Sequence, residues 1–153
     1  AEIGRAFGMN IVICTRTVPE NCGYEVTDIH TAARKADILT FHCPLTEQTK
    51  GIINEELLCE MKSSAVLINT ARGGIADEKS LAEALDSGKI AAAYVDVLEH
   101  EPMLPVTPLK NAPNCRITPH TSWAALETRQ RLVDIVCSSF RAWQSGKTIN
   151  KVN

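Results

Sequence analysis

Short apolar runs alternate with segments of helical periodicity along the whole chain. The runs are apolar throughout rather than alternating, which is typical of strands that are buried on both faces of a sheet. Because helical segments separate them, they predict a parallel sheet covered by helices on both faces, a doubly wound α/β fold. The predicted strands are IVIC (11–14), DILTFHC (37–43), AVLIN (65–69), AAAYVDV (91–97) and CRIT (115–118).

Capping residues and glycines mark the ends of the predicted helices. Asn54 and Asp77 are predicted N-caps, because a short polar side chain there can accept a hydrogen bond from the first free N–H groups. The helix after Asp77 is predicted to end at Gly88. A long final helix is predicted to begin at the cap Ser122 and to end at Gly146. Its apolar residues recur at steps of three and four, namely Leu126, Val133, Val136, Phe140 and Trp143.

Composition and charge narrow the class of protein. The 153 residues are 44% hydrophobic and 22% charged with a formal net charge of −2, which predicts one soluble domain with a core. There is no basic patch, which argues against nucleic acid as a partner. No apolar run approaches the roughly 20 residues of a membrane span, and AEIGRAFGMN carries charges where a signal peptide would be apolar. We therefore expect a cytoplasmic protein that binds neither nucleic acid nor a membrane.

The cysteines predict neither disulfides nor a metal site. Six of them stand at positions 14, 22, 43, 59, 115 and 137, without a CxxC pair or the spacing of metal ligands. Several lie inside apolar runs, where cysteine usually behaves as a small buried hydrophobe. We expect reduced thiols in the core and no bound metal.

Unusual polar residues follow four of the predicted strands. In a parallel sheet the carboxyl ends of the strands share one edge, and ligands bind beyond it. Residues 42–44, residues 70–74, Asp96 with Glu101 close behind it, and His120 would all leave the sheet at that edge. A cation, carboxylates and an imidazole that converge in this way predict a ligand site.

Each of these residues also has an ordinary structural explanation. Arg72 could be a surface residue or an ion-pair partner, although the two glycines after it indicate a close backbone approach. Asp96 lies in an apolar strand, where an unpaired carboxylate costs several kcal/mol, so it either caps a backbone group or meets a ligand. Glu101 could be a simple loop residue. Three histidines are expected to be structural or solvated, namely His42, His100 and, in the early helix, His30.

Three long motifs carry a family resemblance. The run FHCPLTEQTKGIINEELLCEMKSSAVLINTARGGIADEKSLAEAL (41–85), AYVDVLEHEP (93–102) and RITPH (116–120) resemble the NAD(P)-binding, Rossmann-type domain of the D-isomer-specific 2-hydroxyacid dehydrogenases. The run TPHTSWAALETRQRL (118–132) resembles the glycerate dehydrogenase (hydroxypyruvate reductase) branch, in which a tryptophan follows the catalytic histidine by three positions. The resemblance covers essentially the whole chain.

The resemblance implies catalytic roles for three residues. Arg72 matches the arginine that binds the substrate carboxylate and polarises the keto oxygen. His120 matches the acid that gives a proton to that oxygen as hydride arrives from the nicotinamide, and the base in the reverse direction. Glu101 matches the glutamate that hydrogen-bonds to the other imidazole nitrogen and raises the pKa of the histidine.

The resemblance also implies a cofactor site for NAD or NADP. Asp96 matches the family's aspartate near the nicotinamide carboxamide, and the other matching residues line the ribose and pyrophosphate side. These residues are Cys43, Pro44, Thr49, Thr70, Ala71, Arg72, His120, Thr121, Ser122 and Trp123.

The chain departs from the family pattern at its start. The fingerprint GxGxxG and the strand before it should lie just upstream of a helix such as AEIGRAFG, where this chain opens. We expect residues 1–121 to be a partial nucleotide-binding domain that lacks its first strand, and residues 122–153 to pack towards an absent substrate domain. A chain of this kind is expected to be inactive alone, because it lacks the helix start that would hold the pyrophosphate.

A second departure concerns the choice of cofactor. A carboxylate commonly follows the strand IVIC in the family, where it binds the adenine ribose and favours NAD. This chain has Thr15-Arg16 there, and a hydroxyl with a guanidinium could accept a 2′-phosphate. We expect use of NADP(H), or of both cofactors.

The substrate and the assembly stay open at this point. The preferred substrate pair is D-glycerate and hydroxypyruvate, whereas 3-phosphoglycerate and lactate are alternatives within the family. A nucleotide-sensing protein similar to the C-terminal-binding co-repressors is an alternative of a different class. Family members are typically homodimers, and we expect the intact subunit to be one.

Overall fold

The computed structural model of the chain describes residues 1–18 and 20–151. The chain divides into two compact units, Ala1–Pro119 and His120–Asn153. The described part of the first unit contains, in order, α1 (Glu2–Ala6), β1 (Val12–Ile13), β2 (Glu25–Val26), α2 (Ile29–Lys35), β3 (Ile38–Phe41), α3 (Glu55–Glu60), β4 (Val66–Asn69), α4 (Glu78–Asp86), β5 (Ala92–Val95) and β6 (Cys115–Ile117), with short 3₁₀ turns at Gly73–Ile75 and Pro108–Asn111.

Strands β3 to β6 form one parallel sheet in the order β3-β4-β5-β6. The register pairs Phe41 with Asn69, Asn69 with Val95, and Val95 with Ile117. These are the last residues of the four strands, so all four strands end in one row. We call the region just beyond this row the carboxyl edge. The prediction of an α/β fold with a parallel sheet is confirmed.

One face of this sheet carries the hydrophobic core. Leu39, Leu67 and Ala93 lie side by side in register on this face and are buried. Leu57 of α3 and Leu81 of α4 belong to the same buried cluster. Burial of one leucine side chain stabilises a fold by about 2 kcal/mol, so this cluster fixes the sheet against the helices.

The opposite face of the sheet is partly exposed. Ile38 is 47% exposed and Tyr94 is 49% exposed. The expectation that helices bury both faces is therefore wrong at these positions. The reason is that α2 packs on α3 and α3 packs on α4, so that these helices line up beside one another.

A separate two-stranded parallel sheet joins β1 to β2. It pairs Val12 with Glu25 and Ile13 with Val26, and the Thr27 N–H extends it with a bond to the Ile13 carbonyl at 3.0 Å. The predicted strand 11–14 is present but shorter than expected. β2 has no signal in the sequence, because two residues are too few to show a period.

Side-chain caps begin α3 and α4 as the sequence predicts. Asn54 Oδ1 accepts from the Leu57 N–H at 3.0 Å, and Asp77 Oδ1 accepts from the N–H groups of Lys79 and Ser80 at 3.0 and 3.2 Å. Gly88 has φ 67°, the left-handed conformation expected just past the end of α4. Both predicted N-caps are confirmed.

The second unit contains the long helix α5 (Leu126–Gln144). The predicted cap Ser122 is wrong, since α5 begins after Ala125 without a side-chain cap. The Ala124 N–H instead closes a turn onto the Thr121 carbonyl at 2.9 Å, which delays the start of the helix. Gly146, with φ 71°, follows the helix end as predicted. Residues 152–153 of the predicted C-terminal segment lie outside the described residues.

The apolar residues of α5 are exposed. No residue of this helix is buried, and Val136 and Trp143 are 58% and 71% exposed. Phe140 and Trp143 contact each other with ring centroids 5.8 Å apart. No helix among the described residues is long and apolar enough to cross a membrane.

Candidate active site

Backbone hydrogen bonds continue the sheet for one residue past its last row. The Asp96 N–H donates to the Asn69 carbonyl at 2.9 Å, and the Thr118 N–H donates to the Val95 carbonyl at 3.0 Å. These bonds fix the direction in which the chain leaves each strand. The first residues at the carboxyl edge are His42, Thr70, Asp96 and Thr118.

Asn69 holds the segment that carries Arg72. Its side chain is fully buried, accepts from the Ala71 N–H at 3.1 Å and donates to the Arg72 carbonyl at 3.0 Å. These bonds satisfy backbone groups that the sharp turn after β4 would otherwise leave unpaired. The exposed Arg72 guanidinium donates from Nη1 to the Ala71 carbonyl at 2.7 Å. Arg72 and the exposed Thr70 therefore stand at the carboxyl edge on a fixed backbone.

Gly73 brings the Arg72 segment against the segment that carries Glu101. It is buried, and a Cβ at this position would overlap the Leu98 carbonyl and crowd the Glu99 nitrogen. Only glycine fits so close a backbone approach. Glu101 Oε1 accepts from the Leu98 N–H at 3.0 Å, and the peptide bond that follows Glu101 is cis. The close approach predicted from the glycines is confirmed at Gly73, and it places Arg72 and Glu101 on segments whose backbones touch.

Asp96 is a buried carboxylate at the centre of the carboxyl edge. It is 3% exposed, and its Oδ1 accepts from the Thr118 hydroxyl. One partner of Asp96 is thus a side chain at the end of the neighbouring strand. A buried carboxylate that is held by a hydroxyl keeps an acceptor in a fixed position.

The turn after β3 is held by Thr49. Its hydroxyl donates to the Pro44 carbonyl at 2.6 Å and accepts from the Thr46 N–H at 2.8 Å. Leu45 in this turn lies against Gly74, where an added Cβ would be 3.1 Å from Leu45 Cδ2. The predicted cofactor-lining turn therefore packs beside the Arg72 segment, and the Thr49 hydroxyl shapes the turn.

Cys14 and Thr15 follow β1. Burial raises the pKa of the Cys14 thiol, and the charges of Asp28 and Cys43 raise it further. Thr15 follows at the end of β1, where its hydroxyl donates to the Thr17 carbonyl at 3.2 Å, and Arg16 is exposed.

The remaining predicted site residues belong to the second unit. His120 has φ 52°, a left-handed conformation that is uncommon outside glycine, although histidine adopts it more readily than most residues. His120, Thr121, Ser122 and Trp123 are exposed, and Trp123 is 50% exposed. This unit starts at His120, two residues after the Thr118 that contacts Asp96.

The sequence pattern does not reveal the roles of two residues at this site. For Asn69 the available signal is a polar residue that closes an apolar strand. Glu78 has the pattern of an ordinary helix residue. Its carboxylate accepts from the Glu99 N–H at 2.8 Å and from the Thr107 hydroxyl at 2.7 Å, and these partners are too distant in sequence for a local pattern to show.

Other expectations about polar residues need correction. His30 is not simply solvated, because its Nδ1 lies 3.2 Å from Glu60 Oε2, which also accepts from Arg34 at 3.0 Å. All six cysteines are free; Cys14, Cys59 and Cys137 are exposed, whereas Cys43 and Cys115 are partly buried and pack against the core cluster. The expected burial in the core is therefore wrong for the three exposed thiols and holds only in part for Cys43 and Cys115. Within the described residues no cluster of three or more His, Cys, Asp or Glu side chains could hold a metal ion.

The comparison with protein families decides the identity of this arrangement. The family model for the NAD binding domain of the D-isomer specific 2-hydroxyacid dehydrogenases matches residues 1–122. The chain belongs to this family. The matched residues include Arg72, Glu101 and His120, so the carboxyl edge described above lies inside the family's nucleotide-binding domain.

Individual 2-hydroxyacid dehydrogenases are similar in sequence to most of this chain. Hydroxypyruvate reductase from Blautia hydrogenotrophica is 41% identical over 134 residues, which cover 88% of this chain and 41% of that protein. Glycerate dehydrogenase from Methylorubrum extorquens is 43% identical over 154 residues, which cover 99% of this chain and 48% of that protein. The chain thus spans less than half the length of these relatives.

A solved structure from the family has the same fold. It is the NADPH-dependent glyoxylate/hydroxypyruvate reductase of Sinorhizobium meliloti in complex with NADP and malonate, with a TM-score of 0.86 at 35% identity. The match covers 94% of this chain and 45% of that one.

The groups at the carboxyl edge fit the nicotinamide dinucleotide that the family binds. Asp96 offers a buried acceptor for an amide N–H, and exposed Thr70 offers a hydroxyl. Arg72 offers a guanidinium, whose planar fork suits a carboxylate of the substrate. The donors and acceptors of the first unit therefore agree with the family's ligands in kind.

Proposed function

We propose that the native protein is an NAD(P)-dependent D-2-hydroxyacid dehydrogenase whose substrate pair is hydroxypyruvate and D-glycerate. The observation that carries the proposal is the backbone contact of Gly73 with Leu98, which joins the Arg72 and Glu101 segments at the carboxyl edge. Family membership and the names of the similar reductase and dehydrogenase support the choice of reaction and substrate.

Each proposed catalytic residue has one task. Arg72 binds the substrate carboxylate and orients the keto group. The bound nicotinamide supplies a hydride to the keto carbon. His120 donates a proton to the keto oxygen, so that the carbonyl becomes a hydroxyl, and it accepts this proton in the reverse direction. Glu101 hydrogen-bonds to the imidazole and favours its protonated form.

The remaining predicted residues hold the cofactor in this proposal. Asp96 accepts from the nicotinamide carboxamide, while the lining segments are residues 43–44 with Thr49, residues 70–72 and residues 120–123. Thr15 and Arg16 face the adenine ribose, and the exposed guanidinium of Arg16 supports use of NADP(H) or of both cofactors. The similarity to an NADPH-dependent reductase supports the same choice.

The proposal extends to assembly and location. Residues 122–153 pack against a substrate-binding domain, and the native protein is a cytoplasmic homodimer. The exposed apolar residues of α5 support this part, because an apolar stripe of this size usually meets a partner surface.

The test is a steady-state assay of the native gene product with hydroxypyruvate, glyoxylate, 3-hydroxypyruvate phosphate and pyruvate, each with NADH and with NADPH. We expect the highest kcat/KM with hydroxypyruvate, and a rate with NADPH at least comparable to that with NADH. In the direction of reduction kcat/KM should fall at alkaline pH, because the reaction needs a proton donor. Glu101→Gln should move this fall to lower pH, since it removes the charge that favours imidazolium.

Substitution of the acid needs a variant that keeps the backbone. His120→Asn is preferred, because asparagine also tolerates the left-handed conformation of this position. We expect it to lower kcat by about 10²–10⁴-fold, the usual contribution of a general acid. His100→Asn, in the exposed part of the Glu101 segment, is the matched control and should keep the wild-type rate. Absence of turnover with every pair, or full activity of His120→Asn, would refute the proposed reaction.

A further inference from the structure

The Glu78 carboxylate joins both ends of the segment that carries Glu101. Glu78 is the first residue of α4, and one carboxylate oxygen accepts from the Glu99 N–H at 2.8 Å. The other oxygen accepts from the Thr107 hydroxyl at 2.7 Å. The segment 99–107 is thus tied at its start and at its end to one side chain. Hydrogen bonds to an ionised acceptor are the stronger kind, so this link resists opening.

A second contact ties the same segment to Arg72. Leu98, one residue before Glu99, has its carbonyl against Gly73 and its N–H bonded to Glu101 Oε1. Arg72 precedes the 3₁₀ turn Gly73–Ile75, and the cap Asp77 follows two residues after that turn. The path from Arg72 to Glu78 therefore consists of a tight turn and a capped helix start. It offers few ways for the two ends to move independently.

We infer that Glu78 is a positioning residue, which sets where Glu101 stands relative to Arg72. This inference rests on the proposed function, in which Glu101 acts on His120. Both oxygens of the Glu78 carboxylate accept hydrogen bonds from the 99–107 segment, so Glu78 does not bind substrate or cofactor itself. It acts by positioning Glu101. Loss of the link lets the segment drift, and a displacement of about 1 Å can lower a catalytic rate by about 10²-fold.

The position of Glu78 separates this role from a general effect on α4. Loss of any carboxylate from α4 changes the net charge of the helix, whichever segment that carboxylate contacts. Glu83 also lies on α4, but its side chain is exposed and forms an ion pair with Lys79 at 3.8 Å. Removal of Glu83 alters the charge of the helix without touching the 99–107 segment.

The experiment measures three variants of the native gene product beside Glu101→Gln, with Glu83→Ala as the matched control. We expect Glu78→Ala to lower kcat/KM for reduction by about 10–100-fold and to move its fall with pH in the same direction as Glu101→Gln does. Glu78→Gln keeps a carbonyl acceptor and should lie between Glu78→Ala and wild type. Thr107→Val removes one bond at little change of shape and should move the pH profile in the same direction by less. Glu83→Ala should leave both quantities unchanged.

A second readout needs neither substrate nor nucleotide. Limited digestion with a protease that cuts after glutamate should release a fragment ending at Glu99 faster from Glu78→Ala and Thr107→Val than from wild type or Glu83→Ala. Thermal unfolding of each variant identifies any that do not fold. If Glu78→Ala does not fold, the pH profile and digestion rate of Thr107→Val test the positioning role instead.

The outcomes separate the two proposals. A shifted pH profile in Glu101→Gln with wild-type profiles and digestion rates in the Glu78 and Thr107 variants overturns the positioning role and leaves the proposed function standing. An unshifted profile in Glu101→Gln overturns both, because Glu78 is proposed to act only through Glu101. Equal effects of Glu83→Ala and Glu78→Ala would also overturn the positioning role, since the helix charge would then explain them.

Discussion

Arg72 is held in place through two uncharged neighbours, Asn69 and Gly73. The Asn69 side chain hydrogen-bonds to two successive residues in the turn. It accepts from the Ala71 N–H at 3.1 Å and donates to the Arg72 carbonyl at 3.0 Å. Gly73 removes the side chain that would keep Leu98 away. The guanidinium itself needs no ion pair for its orientation, which leaves its outer donors for an anionic ligand.

The two consecutive glycines after Arg72 offer a test at the residue scale. Gly73→Ala should destabilise the fold by about 3 kcal/mol, because the added Cβ meets rigid backbone at Leu98. Gly74→Ala should cost less than about 1 kcal/mol, because its Cβ would meet only the end of the Leu45 side chain at 3.1 Å, which can move. The measurement is the free energy of unfolding in urea for each variant.

The loss of kcat/KM should also be larger for Gly73→Ala than for Gly74→Ala. Gly73→Ala pushes the Arg72 and Glu101 segments apart, so its kcat/KM should fall even under conditions where the variant is folded. Gly74→Ala is the internal control, because it makes the same chemical change one residue along. Equal stability of the two variants would mean that the backbone contact of Gly73 is not tight in solution.

At this scale the sequence predicts the polar side chains that lie beyond the strand ends. It does not predict the side chains that hold these segments in place. The positions of Arg72, Glu101 and His120 are suggested by polar residues that follow apolar runs, while their catalytic roles rest on the family resemblance. Asn69 and Glu78 were not predicted, because their partners are set by the turn after β4 and by the fold of the 99–107 segment. Glu78 bonds to residues 21 and 29 positions away, and no local pattern contains that information.

At the scale of the element, the caps decide where helices begin. The seven-residue helix α2 begins after Asp28, whose Oδ1 accepts from the Thr31 N–H at 2.9 Å. This bond to the Thr31 backbone is the main reason that the pKa of Asp28 falls from its ordinary 3.8 to about 2. A helix this short depends on its cap, because few of its backbone groups are satisfied internally.

The depressed pKa predicts how the stability of the fold varies with pH. Because the folded pKa lies below the unfolded one, the contribution of Asp28 is present above pH 3.8 and is lost as pH falls through about 2. Asp28→Asn keeps an uncharged cap at every pH. Its thermal unfolding midpoint, compared with that of wild type at the same pH, should therefore rise as the pH is lowered from 5 to 2. Thermal unfolding at pH 5, 3 and 2 measures this difference.

Asp28→Ala provides the comparison, since it has no cap at any pH. Its midpoint should lie below wild type at pH 5, and the gap should narrow towards pH 2. A gap between wild type and Asp28→Asn that stays constant with pH would show that the Asp28 carboxylate is not engaged in the folded state.

Elements with a long apolar pattern or an obvious cap were predictable, and short or irregular ones were not. β3 to β6 and the starts of α3 and α4 follow from apolar runs and from Asn54 and Asp77. β2 has only two residues, so it carries no period. Ser122 resembles a cap in sequence, but the turn closed by Thr121 and Ala124 moves the start of α5 to Leu126.

At the scale of the whole molecule, the core belongs entirely to the first unit. Every residue of the buried hydrophobic cluster lies between Ala33 and Leu109, whereas α5 has no buried residue. A chain that ends at Pro119 should therefore unfold cooperatively, with a midpoint within about 5 °C of that of the 153-residue chain. Thermal unfolding followed by circular dichroism measures both midpoints.

A slightly shorter chain supplies the control for this truncation. A chain that ends at Pro113 lacks β6, which pairs with β5, so it should lose the cooperative transition. Loss of the transition already at Pro119 would mean that the second unit contributes to the stability of the first. The family resemblance already implies a division of the chain near residue 121, whereas the apolar pattern alone does not, because apolar residues continue at regular spacing through α5.

The order of the strands has a consequence for how this domain opens in solution. β4 and β5 each pair with a neighbour on both sides, while β3 and β6 pair on one side only. Deuterium should therefore replace the amide protons of β4 and β5 last, at a rate set by global unfolding. The segments that start from the ends of these two strands are those of Arg72 and Asp96. Arg72 and Asp96 of the proposed site are thus anchored in the strands that open least often, whereas the turn after β3 and the segment after β6 start from strands that open more readily.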